Sequence, residues 1–272
     1  MSSAFEWRGR RALVTGASAG IGQAFAEILA ARGCALVLTA RRLDRLAALA
    51  TNLRDRHGVD VVCIAADLAE ADAVAAICSE LQARALAIDV LVNNAGFGVP
   101  GGYHRSDWPT QSRFLKVMVE APAELVHRLL PGMRERRCGA ILNVASLAGL
   151  VPGSAGSTLY GGAKALLVRF SQSLALENRD CGIRVQALCP GFTHSEFHDV
   201  TGARALVSRL SPRYWMSAQA VVEESLAALD RDQVLCVPGR MNRWLKFVAK
   251  HLPDQMALRL VGRRSRQFRE FD

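Results

Sequence analysis

The sequence predicts a doubly wound parallel α/β sheet. Three observations carry that expectation: short apolar runs alternate with stretches of helical period, the runs are apolar throughout, and a glycine-rich turn follows the first of them. Strands that are apolar at every position are buried on both faces. That requires helices above and below the sheet and crossover connections between parallel neighbours.

Taken in order, Ala12 to Thr15 reads as the first strand and Gly20 to Arg32 as its helix. Ala35 to Thr39 is followed by Leu43 to Arg56, and Val59 to Ala65 by Ala71 to Leu86. Asp89 to Val92, Ala140 to Val144 and Arg184 to Leu188 supply three more strands, and Gln233 to Val237 a short seventh. Further helices are expected over Gln111 to Arg137, Leu159 to Asn178 and Ser217 to Leu229, the last with Ser217 as N-cap and acids following. No linker, repeat or low-complexity tract breaks residues 1–238, which read as one domain. Residues 239–272 read as a basic, amphipathic helical extension: Met241, Trp244, Leu245, Val248 and Leu252 recur at helical spacing with Arg243, Lys246 and Lys250 between, until Pro253 interrupts. Such a helix packs on its parent domain or a second subunit, or meets a membrane surface or another partner.

Composition narrows the function classes. With 50% hydrophobic and 22% charged residues among 272, the chain has enough apolar surface to fold and is not a disordered segment. Residues 1–8 hold no apolar signal core, and no apolar run is long enough to span a bilayer, so a cytoplasmic protein is expected. Seven scattered cysteines without CxxC spacing read as reduced, buried thiols. Of the net charge of +9, residues 240–272 carry +6. The remaining body is nearly balanced and has no module that reads bases, so nucleic acid is not an expected partner.

The chemistry begins at Thr15-Gly16-Ala17-Ser18-Ala19-Gly20-Ile21-Gly22, where a strand turns into a helix. Glycines there let the backbone approach a pyrophosphate, whose charge the helix N-terminus stabilises. The second strand ends at Ala40-Arg41-Arg42, where an acid would bind the ribose of NAD. Ala40 cannot do so, whereas Arg41 and Arg42 can pair with the 2′-phosphate of NADP(H). Asp67-Leu68 and Asn93-Asn94-Ala95-Gly96 close the third and fourth strands, at the carboxyl edge where open α/β sheets bind ligands. Ser146 ends the fifth strand, and Tyr160 and Lys164 share one face of the next helix at i and i+4. A phenol titrates near 10, so a neighbouring ammonium that favours the phenolate makes proton exchange practical at neutral pH.

With the TGxxxGxG turn, the NNAG sequence, Ser146 before Tyr160-x-x-x-Lys164, and Pro190-Gly191-Phe192-Thr193 after the sixth strand, the chain resembles the short-chain dehydrogenase/reductase family up to about Pro238. The resemblance implies a Rossmann-type fold and assigns roles. Tyr160 is the general acid/base, Lys164 holds the nicotinamide ribose and tunes Tyr160, and Ser146 positions the carbonyl. Gly16, Ser18, Ala19, Gly20, Ile21 and Gly22 meet the cofactor phosphates and ribose. Asp67 and Leu68 meet the adenine, and Asn94, Ala95 and Gly96 the adenosine ribose and sheet centre, while Pro190, Gly191 and Thr193 flank the nicotinamide carboxamide. It also implies a homo-oligomer paired through the two long helices.

Two features depart from the family. Counting back thirteen residues from Pro131 lands on Met118, where the family has an asparagine that helps hold a water beside the lysine; the proton path from Lys164 to solvent is thereby in doubt. Ser146 and Tyr160 are separated by 14 positions rather than the usual 13, which an extra loop residue near Gly153 to Ser157 absorbs. His194, His198 and Asp199 stand close in sequence but lack the order of a zinc motif, and no metal is expected. Residues Phe192 to Trp215, with Phe197, Tyr214 and Trp215, read as an apolar cover for substrate, facing Tyr103 and Trp108.

The expected activity is NADP(H)-linked interconversion of a carbonyl and an alcohol on a small, apolar substrate, with Tyr160 as acid/base. Two alternatives stay open: a catalytically decayed NADP-binding scaffold, and a peripheral membrane reductase of a lipid-like carbonyl.

Overall fold

The computed structural model describes residues 4–156, 158–196 and 211–268, with no side-chain description for Pro212 or residues 263–268. Its strands are β1 (Arg11–Thr15), β2 (Ala35–Ala40), β3 (Val61–Ala65), β4 (Val90–Asn93), β5 (Gly139–Val144), β6 (Ile183–Leu188), β7 (Phe192–His194), β8 (Trp215–Ser217) and β9 (Leu235–Cys236). The α-helices are α1 (Gly20–Ala31), α2 (Leu43–His57), α3 (Ala73–Ala83), α4 (Trp108–Leu115), α5 (Ala121–Glu135), α6 (Thr158–Glu177), α7 (Ala218–Asp230), α8 (Arg240–His251) and α9 (Asp254–Phe268). Seven strands form one parallel sheet in the order β3-β2-β1-β4-β5-β6-β9. The order reverses between β1 and β4, which opens a crevice at their carboxyl ends.

Alternate residues of each strand face opposite layers. Ala12, Val14, Leu36, Leu38, Val92 and Leu142 pack with Phe25 and Leu29 of α1 and Val222 and Leu226 of α7. Leu13, Val37, Leu91, Ile141 and Val185 pack with Ile77 of α3 and Leu125 of α5. A buried polar chain crosses the second layer. The Asn93 amide donates to Pro122 O and to Asn143 Oδ1 (2.9 Å); Asn143 donates to Ser171 Oγ (2.9 Å), which donates to Leu167 O (2.7 Å). It ties β4 and β5 to α5 and α6, the elements that frame the carboxyl edge.

Several boundaries differ from the sequence reading. The long helix before β5 starts at Trp108, with Asp107 accepting from the Thr110 amide, and is broken at Lys116–Glu120 by a π-helical turn. Periodicity cannot register one extra residue per turn. Ser217 does cap α7, its hydroxyl accepting from the Ala220 amide, but no acid lies in the first turn; Glu223 and Glu224 come later. The seventh sheet strand, β9, has only two residues, and β7 and β8 form a separate two-stranded parallel ribbon that the sequence did not announce.

The tail helix α8 forms as expected, but Trp244 and Phe247 point outward, more than half exposed, while Asn242 is its buried residue. Asn242 donates to Pro238 O, and Glu224 of α7 accepts from the Gly239 amide and Arg243. Past Pro253 the chain re-enters a helix, α9, which falls within the helical extension expected over residues 239–272 but whose separate start the residue spacing did not mark. Among the described residues no helix is long and apolar enough to cross a membrane. All seven cysteines are free; Cys34, Cys189 and Cys236 are buried, the other four half-buried.

Replacing Asn143 with alanine leaves one Asn93 amide hydrogen and a lone pair of Ser171 without partners in the core, while the Asn93 bond to Pro122 O remains. Urea denaturation is expected to show a loss of about 2–4 kcal/mol, against less than 1 kcal/mol for Gln172→Ala on the exposed side of α6.

Candidate active site

The crevice starts at Thr15, the last residue of β1. Its buried hydroxyl accepts from the Asn94 and Ala95 amides (2.9 and 3.0 Å) and donates to Val92 O, while the Asn94 side chain donates to Thr15 O and Gly16 O. The ends of β1 and β4 are thus stitched together on either side of the strand-order reversal. Two glycines make the stitch fit. Gly16 takes a positive φ of 64°, and a Cβ on Gly22 would overlap the Gly16 carbonyl oxygen and the Asn94 amide nitrogen. No side chain caps the start of α1, whose first amides, beginning at Gly20, face the crevice. That arrangement suits a pyrophosphate, with Ser18 and Ala19 in the turn and Ile21 half-buried against the core behind it.

At the end of β2, Ala40 offers no carboxylate. Arg41 is exposed and makes no ion pair among the described residues, whereas Arg42 donates to Ser18 Oγ (3.1 Å) and so lies against the glycine turn. This donor set fits an adenosine 2′-phosphate. Asp67 is held by Arg113 of α4 (2.8 Å), which also pairs with Glu70, and its other oxygen accepts from the Ala69 amide. Leu68 is buried in the second layer. Gly96 lies at the crevice floor, where a Cβ would come 2.8 Å from the Met118 sulfur.

On the other side of the crevice the structure brings Ser146, Tyr160 and Lys164 together. Ser146 caps the turn Leu147–Gly149, accepting from the Ala148 amide (3.1 Å), and its hydroxyl lies close enough to the Tyr160 phenol to influence its titration. Lys164, only 5% exposed, donates to Val144 O (2.7 Å), and its ammonium lies 5.7 Å from the centre of the Tyr160 ring. Burial lowers the Lys164 pKa to about 8, against a smaller opposing effect of Cys189. Burial also raises the Tyr160 pKa, with the Ser146 hydrogen bond acting the other way. The phenol is therefore neutral and the ammonium largely charged near pH 7.

The extra residue between Ser146 and Tyr160 sits in a loop whose residues 153–155 are exposed, and Ser146 and Tyr160 remain neighbours despite it. Sequence reading passed over Gly149: a Cβ there would come 2.6 Å from the Lys164 backbone, so only glycine lets the Ser146 turn lie against α6. Met118, in the π turn, is buried with Phe114 and Ala163 beside the Tyr160 ring. An apolar side chain therefore fills this position.

Pro190 and Thr193 are buried after β6; Leu147 donates its amide to Pro190 O, and Thr193 donates its hydroxyl to Gly191 O. Gly191 is pressed against Asn242 of α8, so the first turn of the tail buttresses this loop. A small cleft beside Tyr160 is lined by Val99, Tyr103, Gln111, Phe114, Thr158 and Leu159. Tyr103 thus takes its expected place, but Trp108, at the start of α4 and 64% exposed, lies outside that lining. Phe192 and His194 stack on Trp215 across the small ribbon. Phe197, His198 and Asp199 lie outside the described residues, as does most of the expected cover; among the described residues no group of three metal-ligating side chains occurs.

Residues 10–204 match the short chain dehydrogenase family. The chain belongs to that family. It is 36% identical to nodulation protein G of Rhizobium sp. (strain N33), over 87% of this chain and 95% of the relative. A short-chain dehydrogenase from Sphingobium yanoikuyae, solved in complex with NADPH, superposes with a TM-score of 0.80 at 34% identity, covering 89% of this chain and 93% of that one. The bulky-bulky ketone specific alcohol dehydrogenase from Comamonas testosteroni gives a TM-score of 0.74 at 29% identity, over 90% and 95% of the two chains. As a member of this family the chain is an oxidoreductase.

The buried ammonium has a thermodynamic signature. Between the folded pKa of about 8 and the unfolded value near 10.4, the unfolded chain binds the extra proton, so native stability rises with pH across that window. Lys164→Met removes the cost of burial and is expected to stabilise the protein by about 1–3 kcal/mol at pH 7. That gain, followed by thermal denaturation, should stay constant below pH 8 and vanish by about pH 10.5.

Proposed function

We propose that this protein is an NADPH-dependent reductase of ketones or aldehydes with apolar substituents, able to run in reverse as an alcohol dehydrogenase. The observation that carries this reading is Ser146 and Tyr160 side by side with the Lys164 ammonium 5.7 Å from the phenol ring, at the same sheet edge as the glycine turn. The solved relatives that bind NADPH or act on bulky ketones support the cofactor and substrate class.

In this reading Gly16, Ser18, Ala19, Gly20, Ile21 and Gly22 cradle the pyrophosphate, and Arg41 and Arg42 take the 2′-phosphate. Asp67 and Leu68 border the adenine, and Asn94, Ala95 and Gly96 the adenosine ribose. Pro190, Gly191 and Thr193 flank the carboxamide. When bound, NADPH supplies the hydride to the carbonyl carbon. Tyr160, kept neutral by its surroundings, gives its proton to the carbonyl oxygen as negative charge builds there. Ser146 donates a hydrogen bond to that same oxygen. Lys164 stabilises the phenolate left behind and holds the nicotinamide ribose, while Val144 O fixes the direction of its ammonium. Val99, Tyr103, Phe114 and Leu159 border the space beside Tyr160 where the apolar substituents lie. Two copies pair through α5 and α6, where Leu166 and Leu176 stand exposed.

Tyr160→Phe is expected to bind NADPH as wild type does by calorimetry while losing at least about 10³-fold in turnover across a panel of aromatic and aliphatic ketones and aldehydes. Retained turnover on any accepted substrate overturns the assignment. Reduction by the wild type should decline as pH rises through about 8, where Lys164 gives up its proton. A profile of kcat/KM flat to pH 10 contradicts that role for the ammonium.

A further inference from the structure

Arg42, just past β2, and Arg45 of α2 already hold an anion. Glu196, two residues beyond β7, accepts from Arg42 (3.0 Å) with one carboxylate oxygen and from Arg45 of α2 (2.6 Å) with the other. Arg42 meanwhile donates to Ser18 Oγ, which fixes this ionic cluster against the glycine turn. Ser195 packs there too, since a Cβ on Gly20 would come 2.8 Å from the Ser195 Cβ. The partners are 154 and 151 residues apart in sequence, so the cluster joins the adenosine end of the crevice to the segment that carries Thr193 at its other end. A carboxylate gripped by two guanidinium groups has the charge sign and donor set of a bound phosphate, with less charge and fewer acceptor atoms.

We propose that Glu196 is an internal competitor for the 2′-phosphate of NADP(H), and that Arg45 is a phosphate-binding residue which Glu196 occupies until a 2′-phosphate displaces it. This rests on the NADPH reading above. The chemistry favours exchange: a dianionic phosphate makes stronger paired bonds to Arg42 and Arg45 than a carboxylate does, and the displaced Glu196, partly exposed already, is hydrated on release. NADH offers no such exchange. Glu196 therefore sets how far the chain prefers the phosphorylated cofactor, by imposing a cost that only a 2′-phosphate ligand meets. Arg45 and then Arg42 hold the Glu196 carboxyl below its usual range, so it is ionised at neutral pH.

Calorimetric titration of the full chain with adenosine 2′,5′-bisphosphate and, separately, adenosine 5′-monophosphate tests this without a substrate or turnover. Glu196→Gln is expected to tighten the bisphosphate roughly two- to ten-fold, the scale of two exposed ion pairs, and to leave the monophosphate unchanged. Arg45→Ala should weaken the bisphosphate alone. Asp55→Asn, which removes the same charge from the far end of α2, controls for net charge and should change neither. An unchanged bisphosphate affinity in Glu196→Gln, an equal gain for both ligands, or the same gain in Asp55→Asn overturns the role of Glu196 and leaves the cofactor reading standing. A wild-type protein that binds the two ligands equally well overturns both.

Discussion

The crevice depends on a close approach of two strand ends. Parallel strands on opposite sides of an order reversal diverge toward opposite layers, and a ligand fits between them only if the backbones stay pinned where they part. Thr15 and Asn94 do the pinning, each satisfying backbone groups of the other strand. Everything near them is small as a result: Gly16 and Gly22 leave no side chain in the way, and Gly96 accommodates the Met118 sulfur. The start of α1 then points its amides at the gap. Phosphate binding at this edge follows from strand geometry, with the glycines as its condition.

Opposite this hinge the molecule keeps a cation where burial disfavours it. Lys164 is buried on α6, and among the described residues the Val144 carbonyl alone compensates its ammonium by a direct hydrogen bond. The ammonium nevertheless lies 5.7 Å from the centre of the Tyr160 ring, and low-dielectric surroundings strengthen any charge interaction between them. Gly149 and the Asn93, Asn143 and Ser171 chain supply the rigid backing that keeps the Ser146 turn and α6 in register.

Most of the sheet was legible because its strands are uninterrupted apolar runs, and the glycine turn and Tyr160-x-x-x-Lys164 were legible because their chemistry lies in local spacing. What stayed hidden involves distant partners or segments too short to have a period. The Thr15 and Asn94 stitch spans 79 positions, and Glu196 meets Arg42 across 154. β7 and β8 have three residues each, too few for alternation to show. Trp244 fell on the apolar stripe of α8 by spacing, yet the helix docks through Asn242, whose amide reaches Pro238 O, and that contact rotates the indole to the surface. Gly149 looks like any turn glycine until α6 is laid beside it.

The strand order also dictates how the chain must assemble. β1, β2 and β3 are neighbours in both sequence and space, so they can pair as soon as they are made. β1, however, receives β4 on its other side only after the intervening crossovers have been synthesised. Until then the emerging N-terminal unit presents an unpaired edge of β1 whose centre is the apolar run Ala12, Leu13 and Val14. This is an aggregation hazard of the growing polypeptide, and it passes outward to β4, β5 and β6 in turn until each receives its next neighbour. The residues that later close the crevice thus also cover the first of these open edges.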